Sequence, residues 1–180
     1  MQRIQKLLVP TDLSENSRRG LLYACSLAAE NRAALTILHV ANEFAAWEIY
    51  CDEFTFLEPA RRAWPTDRVL AEANLDLNRF LEPHLAAMQN IPAVNKRLVL
   101  GPVAEQIVTL AEEDKADLVV LAPRRNRGLR RIFSGGITDR VTRMSPCPVL
   151  SVTLPFPSRP WRGALLPVPF RWTRQRPATI

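Results

Sequence analysis

Ile4-Gln-Lys-Leu-Leu-Val-Pro-Thr-Asp-Leu-Ser14 is a short apolar run that halts at Pro10 and then meets small hydroxyl and carboxylate side chains. It reads as a buried strand entering a turn, because an uninterrupted apolar run suits a strand covered on both faces and proline punctuates it. Ser14 or Asp12 can accept bonds from the unpaired amides at a helix start, and Leu21, Leu22, Cys25, Ala28 and Ala29 recur behind them at helical spacing. Ala34-Leu-Thr-Ile-Leu-His-Val40 is a second buried strand, which completes a β-α-β unit and calls for a parallel sheet.

The same alternation continues downstream. Residues 41–66 mix aromatic and acidic side chains without a period and read as a long connection along one edge. From Thr66, the positions Val69, Ala73, Leu77, Phe80 and Leu81 predict a long helix to Met88, ended by Asn90-Ile-Pro92. Val94–Leu100 is a third strand, Gly101-Pro102 a turn, and Val103–Asp114 a helix with Ile107, Leu110 and Ala111 inward. Ala116–Ala122 is a fourth strand; an arginine-rich loop, Gly135-Gly136, a helix to about Arg143 and a last strand near Pro148–Val152 follow. Strands alternating with helices, joined by right-handed crossovers, predict a doubly wound α/β fold with helices on both faces of the sheet.

Composition narrows the class. With 47% hydrophobic and 23% charged residues in 180, the chain suits one globular domain, placed at residues 1–154, with 155–180 as a tail. No apolar stretch approaches the ~20 residues a membrane span needs, and Met1–Lys6 runs into a strand rather than a signal-peptide core, so a cytoplasmic location and no membrane partner are expected. Cys25, Cys51 and Cys147 lack the spacing of a disulfide framework or zinc site, and His39 and His84 leave little for histidine catalysis.

Charge is unevenly placed. Five of the 24 basic residues (Arg159, Arg162, Arg171, Arg174, Arg176) lie in the tail with no acid, leaving 19 basic and 18 acidic side chains in residues 1–154. Another five crowd together as Arg124, Arg125, Arg127, Arg130 and Arg131. Trp161 and Trp172 interleave with the tail arginines as base-stacking residues would, but a nearly neutral body argues against a broad nucleic-acid-binding face. The tail's prolines and its Leu165, Leu166, Val168, Phe170 and Trp172 suit an arm that docks on a protein partner.

Four segments together resemble the universal stress protein family over roughly residues 3–153: Leu8-Val-Pro-Thr-Asp-Leu-Ser14; Leu35-Thr-Ile-Leu-His-Val40; Gly101-Pro-Val-Ala-Glu-Gln-Ile107 leading to Ala116-Asp-Leu-Val-Val120; and Ser145-Pro-Cys-Pro-Val-Leu-Ser-Val152. The resemblance implies a Rossmann-like five-stranded sheet in the order 3-2-1-4-5 and a homodimer joined through the last strand, Val149, Leu150, Ser151 and Val152. In one branch of the family it also implies an ATP site at the switch point between strands one and four. Asp12 would then sit near the adenine and ribose, and Val40 would offer backbone contacts to the base; Asp12 as a mere helix cap is the other reading.

Nucleotide-binding members carry G-x-x-G-x9-G-[ST] after strand four, so that amides at a helix start can approach phosphates. Counted back from Gly135, the three glycine positions here read Ala122, Arg125 and Gly135, and the hydroxyl position reads Gly136. Two glycines are replaced, which removes close backbone approach. The neighbouring arginines supply bidentate anion-binding groups of another kind, so ATP or AMP stays a candidate ligand, held by Arg125, Gly135 and Gly136. Two expectations follow: a non-catalytic homodimeric stress or signalling protein with impaired ATP binding, or a nucleotide sensor using the arginine loop.

Overall fold

The computed structural model describes residues 3–41, 66–123 and 136–152. Along the chain come β1 (Lys6–Thr11), α1 (Glu15–Asn31), β2 (Ala34–Ala41), α2 (Thr66–Leu81), α3 (Leu85–Met88), β3 (Val94–Leu100), α4 (Val103–Glu113), β4 (Leu118–Leu121), α5 (Ile137–Met144) and β5 (Val149–Ser151). The strands form one five-stranded sheet in the order β3-β2-β1-β4-β5, every neighbouring pair parallel, as expected.

Why the central strands read as unbroken apolar runs is now plain. Successive side chains of a strand point to opposite faces, and here both faces are covered. Leu7, Val9, Leu35, Ile37, Leu118 and Val120 join Leu21, Ala24, Cys25 and Ala28 of α1 and Leu77 and Leu81 of α2 in one core. The alternate residues Leu8, Leu38, Val40, Val119 and Leu121 join Ala104, Ile107, Leu110 and Ala111 of α4 and Val141 of α5 in the other. Leu8, Leu35, Ile37 and Leu38 are fully buried, each worth ~1.5–3 kcal/mol over exposure.

The helix predicted as one piece from Thr66 to Met88 is broken. After Leu81 a 3₁₀ turn, Glu82–His84, intervenes before the short α3. Pro83 is the cause: it has no N–H for the ladder and its ring crowds the carbonyl a turn earlier. His84 is buried in the bend, with its ring edge-on to Phe80 at a centroid separation of 6.1 Å. The expected connection over 41–66 and the tail over 155–180 lie, from residues 42 to 65 and from 153 onward, outside the described residues.

Candidate functional site at the parting of the first and fourth strands

β1 and β2 stay paired from Lys6↔Ala34 through Thr11↔His39, whereas β1 and β4 pair only at Leu7↔Leu118 and Leu8↔Val119. Beyond Leu8 the ladder between these two strands stops, at the carboxyl ends where the order of winding reverses, the place at which doubly wound sheets bind ligands. Pro10 lies in that unpaired stretch, where its missing N–H costs no β1–β4 bond. On the closed side, His39 Nδ1 lies 2.9 Å from the Thr11 carbonyl oxygen. A carbonyl only accepts, so Nδ1 carries the proton and Nε2 is the ring's acceptor when neutral.

The β1 side of this end is filled by the protein's own hydrogen bonds. Ser14, not Asp12, is the N-cap of α1: its Oγ accepts from the Ser17 amide at 3.3 Å. Asp12 stands behind the cap, its Oδ1 accepting from the Ser14 amide at 3.1 Å and from the Ser14 hydroxyl. A second chain of bonds runs beneath. Leu13 N donates to Thr11 Oγ1 at 3.1 Å, Thr11 and Ser17 share a hydroxyl bond of 2.9 Å, and Ser17 Oγ donates to the Ser14 carbonyl at 2.9 Å. Because Ser17 spends its one proton on the carbonyl, Thr11 is the donor to Ser17, and the direction of the chain is fixed. Leu13 holds φ at 60°, a left-handed conformation uncommon for a branched side chain, and its side chain packs on the α1 core.

The β4 side is built differently. Gly136 is the N-cap of α5, with extended backbone (φ −63°, ψ 168°) and no side-chain bond to the first turn. A Cβ placed on Gly136 would meet no atom within 4 Å. Among the described residues, glycine is thus not required there by space or by φ, and the N-cap itself offers no side chain to the amides of that turn. Asp139 in the first turn is bridged to Arg143, and Arg140 to Glu105 of α4, which ties the two helices of that face together.

Ala122 follows β4. Its methyl is turned toward α1: a Cβ built on Gly20 would stand 2.8 Å from Ala122 Cβ, closer than real contacts allow. Gly20 is buried mid-helix, where glycine costs ~1 kcal/mol against alanine, so the close approach of α1 to the end of β4 is its reason for being there. The Ala122 methyl is accordingly accommodated by Gly20.

Of the predicted site residues, Asp12 and Val40 each follow one member of the Thr11↔His39 pair at the carboxyl end of the sheet. Val40 is the penultimate residue of β2, its side chain in the α4–α5 core. Gly136 heads α5, while Arg125 and Gly135 lie outside the described residues, as do Arg124, Arg127, Arg130 and Arg131. Thr11, Leu13, Ser17 and Gly20 were not singled out by sequence reasoning. The hydroxyls were visible as a cluster and Gly20 as an interruption of a helical pattern, but their partners are long-range.

Other reactive groups are muted. Burial pushes the Cys25 thiol up to about 11, and burial likewise raises that of Cys147, so neither is a ready thiolate at neutral pH. His84 is held below the usual imidazole range, first by burial and then by Arg18, against a smaller opposing pull from Glu15. Among the described residues no cluster of three or more His, Cys, Asp or Glu could hold a metal, and no helix is long and apolar enough to cross a membrane.

The sequence and fold have counterparts among known proteins. The model of the universal stress protein family matches residues 3–153. The chain belongs to that family. A universal stress protein of Methanocaldococcus jannaschii is 28% identical over 152 residues, covering 84% of this chain and 83% of its own. The Bacillus subtilis universal stress protein YxiE is 29% identical over 149 residues, covering 82% and 97%. Among solved structures, UspA of Lactobacillus plantarum shares the fold with a TM-score of 0.64 at 21% identity, covering 84% of this chain and 99% of that one. A universal stress protein in complex with cAMP aligns with a TM-score of 0.54 at 28% identity, covering 84% and 98%. A stress-response role follows from membership of this family.

Proposed function

We propose that this universal stress protein is a non-catalytic homodimer acting in stress response or signalling in the cytoplasm, with ATP binding of the family's usual kind impaired. The observation that carries the reading is the division of this end of the sheet. Asp12 and Val40 follow the ends of the Thr11↔His39 pairing of β1 and β2, while the positions of the phosphate signature read Ala122, Arg125, Gly135 and Gly136 in the sequence. Since Gly20 absorbs the methyl of Ala122, the loss concentrates at Arg125, where a Cβ replaces a glycine, and at Gly136, where a hydroxyl is missing.

Absence of catalysis is supported by the raised thiols, by the engagement of His39 with a backbone carbonyl and by the burial of His84. Dimerisation is supported by β5, which among the described residues pairs with β4 alone and leaves a sheet edge for a second copy. Calorimetry of the full chain with ATP, ADP and AMP at millimolar concentration tests the ligand claim: no heat is expected, and a saturating isotherm overturns it. Sedimentation at micromolar concentration should show no substantial monomer; a clean monomer overturns the dimer.

A nucleotide sensor is the second reading. It is favoured by the lack of a capping side chain on the Gly136 N-cap of α5 among the described residues and by the relative solved with cAMP. A binding heat abolished by Arg125→Ala would establish it in place of the first.

A further inference from the structure

We infer that residues 82–90 form a clasp on α1 that a proton on His84 releases. This device stands apart from the ligand and dimer readings above. Very little holds the stretch in place. Pro83 uncouples it from the α2 ladder, leaving the 3₁₀ turn Glu82–His84 and the single helical turn α3. The backbone bonds at its ends are local: the Leu85 amide donates to the Glu82 carbonyl, Gln89 to Ala86 at 3.5 Å and Ile91 to Met88 at 3.1 Å. So short a helix has no stability of its own, because nucleation is unfavourable and only tertiary packing offsets it.

That packing comes down to two side chains. Within residues 82–90 only His84 and Met88 are buried, while Leu85 is 58% exposed and the others face solvent with it. Met88 sits in the core with Leu77 and Leu81 of α2, Ile91, and Leu21, Ala24, Cys25 and Ala28 of α1. His84 sets its ring edge-on to Phe80, 6.1 Å away. One anchor of the clasp is thus apolar at every pH, and the other takes up a proton.

The charged groups that act on His84 belong to the elements packed against this stretch, α1 and α2. On α1, Arg18 opposes a proton on the ring and Glu15 favours it more weakly; Glu15 is itself bridged to Arg18 and Arg19. On α2, Asp76 and Arg79 are paired with each other at 3.1 Å. Glu82 is exposed in the turn, and α3 carries no charge. Burial and Arg18 outweigh Glu15, so the closed clasp binds the proton less readily than an open one. The hold that His84 provides is therefore present above about 6.5 and is lost as pH falls from there. Release uncovers apolar surface on Leu77, Leu81 and Ile91, with Cys25 of α1 behind them. Acidity is converted into an exposed hydrophobic patch, while β1 and β2, paired along the whole of β1, stay shut.

Hydrogen exchange of the full chain, followed by mass spectrometry at about pH 7.5 and about pH 5 and corrected for the intrinsic rate, tests the clasp. The amides of residues 84–91 should exchange about threefold faster or more at the lower pH, with those of β1 and β2 unchanged. His84→Gln, which cannot take the proton, should abolish the difference. Arg18→Gln keeps the histidine and removes the charge that opposes its proton, so it should shrink the difference; Glu15→Gln should enlarge it.

Equal exchange at the two pH values overturns the proposal, as does an undiminished difference in His84→Gln. A loss of protection that spreads to β1 and β2 is acid unfolding of the whole domain and overturns it too. Should His84→Gln open the stretch at both pH values, Arg18→Gln decides: a reduced response upholds the clasp and an unaltered one overturns it.

Discussion

Helices α1 and α5 both begin at the carboxyl end of the sheet, α1 on one face and α5 on the other, and their first turns are built in opposite ways. At α1, Ser14 caps, Asp12 supports the cap, and beneath it Thr11 donates to Ser17, which donates to the Ser14 carbonyl. At α5, Gly136 contributes no side chain at all. Two helix starts of the same polarity thus differ in what they leave for a ligand. The first is capped by internal side-chain bonds; the second, among the described residues, has no capping side chain. Position in the fold sets both helix starts at the same end of the sheet, and local side chains determine how each is capped.

The largest expected break in this contrast comes from below the α1 cap. Gly20→Ala puts a methyl 2.8 Å from that of Ala122, and overpacking of this kind costs about 1–3 kcal/mol, read as a lower midpoint in urea unfolding. With Ala122→Gly in the same chain, the nearest remaining atoms of residue 122 lie at 3.6 and 3.8 Å, so stability should return to near the parent value. A double-mutant cycle without coupling would show that the two residues do not share the space.

Next in size is the cap. Ser14→Ala removes the acceptor for the Ser17 amide and a donor to Asp12, and should cost about 1 kcal/mol in the same measurement. Gly136→Ala, by contrast, removes no hydrogen bond, and a large loss there would erase the distinction between the two helix starts.

A pH titration probes the α1 side again, because Arg18 and Glu15 of its first two turns act on His84. The folded state holds His84 below 6.5, so the unfolded chain binds its proton more readily. The stability this histidine contributes is present above about 6.5 and is lost as pH falls from there toward the folded value. His84→Gln should flatten the pH dependence of the unfolding free energy in that window. The smallest effect is expected from Gly136→Ser, which supplies the missing hydroxyl in open space and should stabilise α5 by a few tenths of a kcal/mol.

Legibility in the sequence followed the range of the interactions. β1, β2 and β4 could be read because burial on both faces leaves an unbroken apolar run, and the resemblance in four segments set their order. The α2 break could have been read from Pro83, yet the apolar spacing from Phe80 and Leu81 to Met88 carried the helix across it. Ser14 and Asp12 were both legible as capping residues, but their division of labour depends on a hydrogen-bond direction that spacing does not encode. Gly20 and the left-handed Leu13 were not legible, since one answers to Ala122 across the core and the other to the Thr11 hydroxyl and apolar packing.

The contact between Gly20 and Ala122 carries a consequence for how relatives of this chain diverge. Space for one methyl, not two, exists between helix and strand end, so the two positions should change together through evolution. A relative with glycine at the position of Ala122 can carry alanine at that of Gly20, and a lineage passing from one state to the other must traverse either a cavity or a clash.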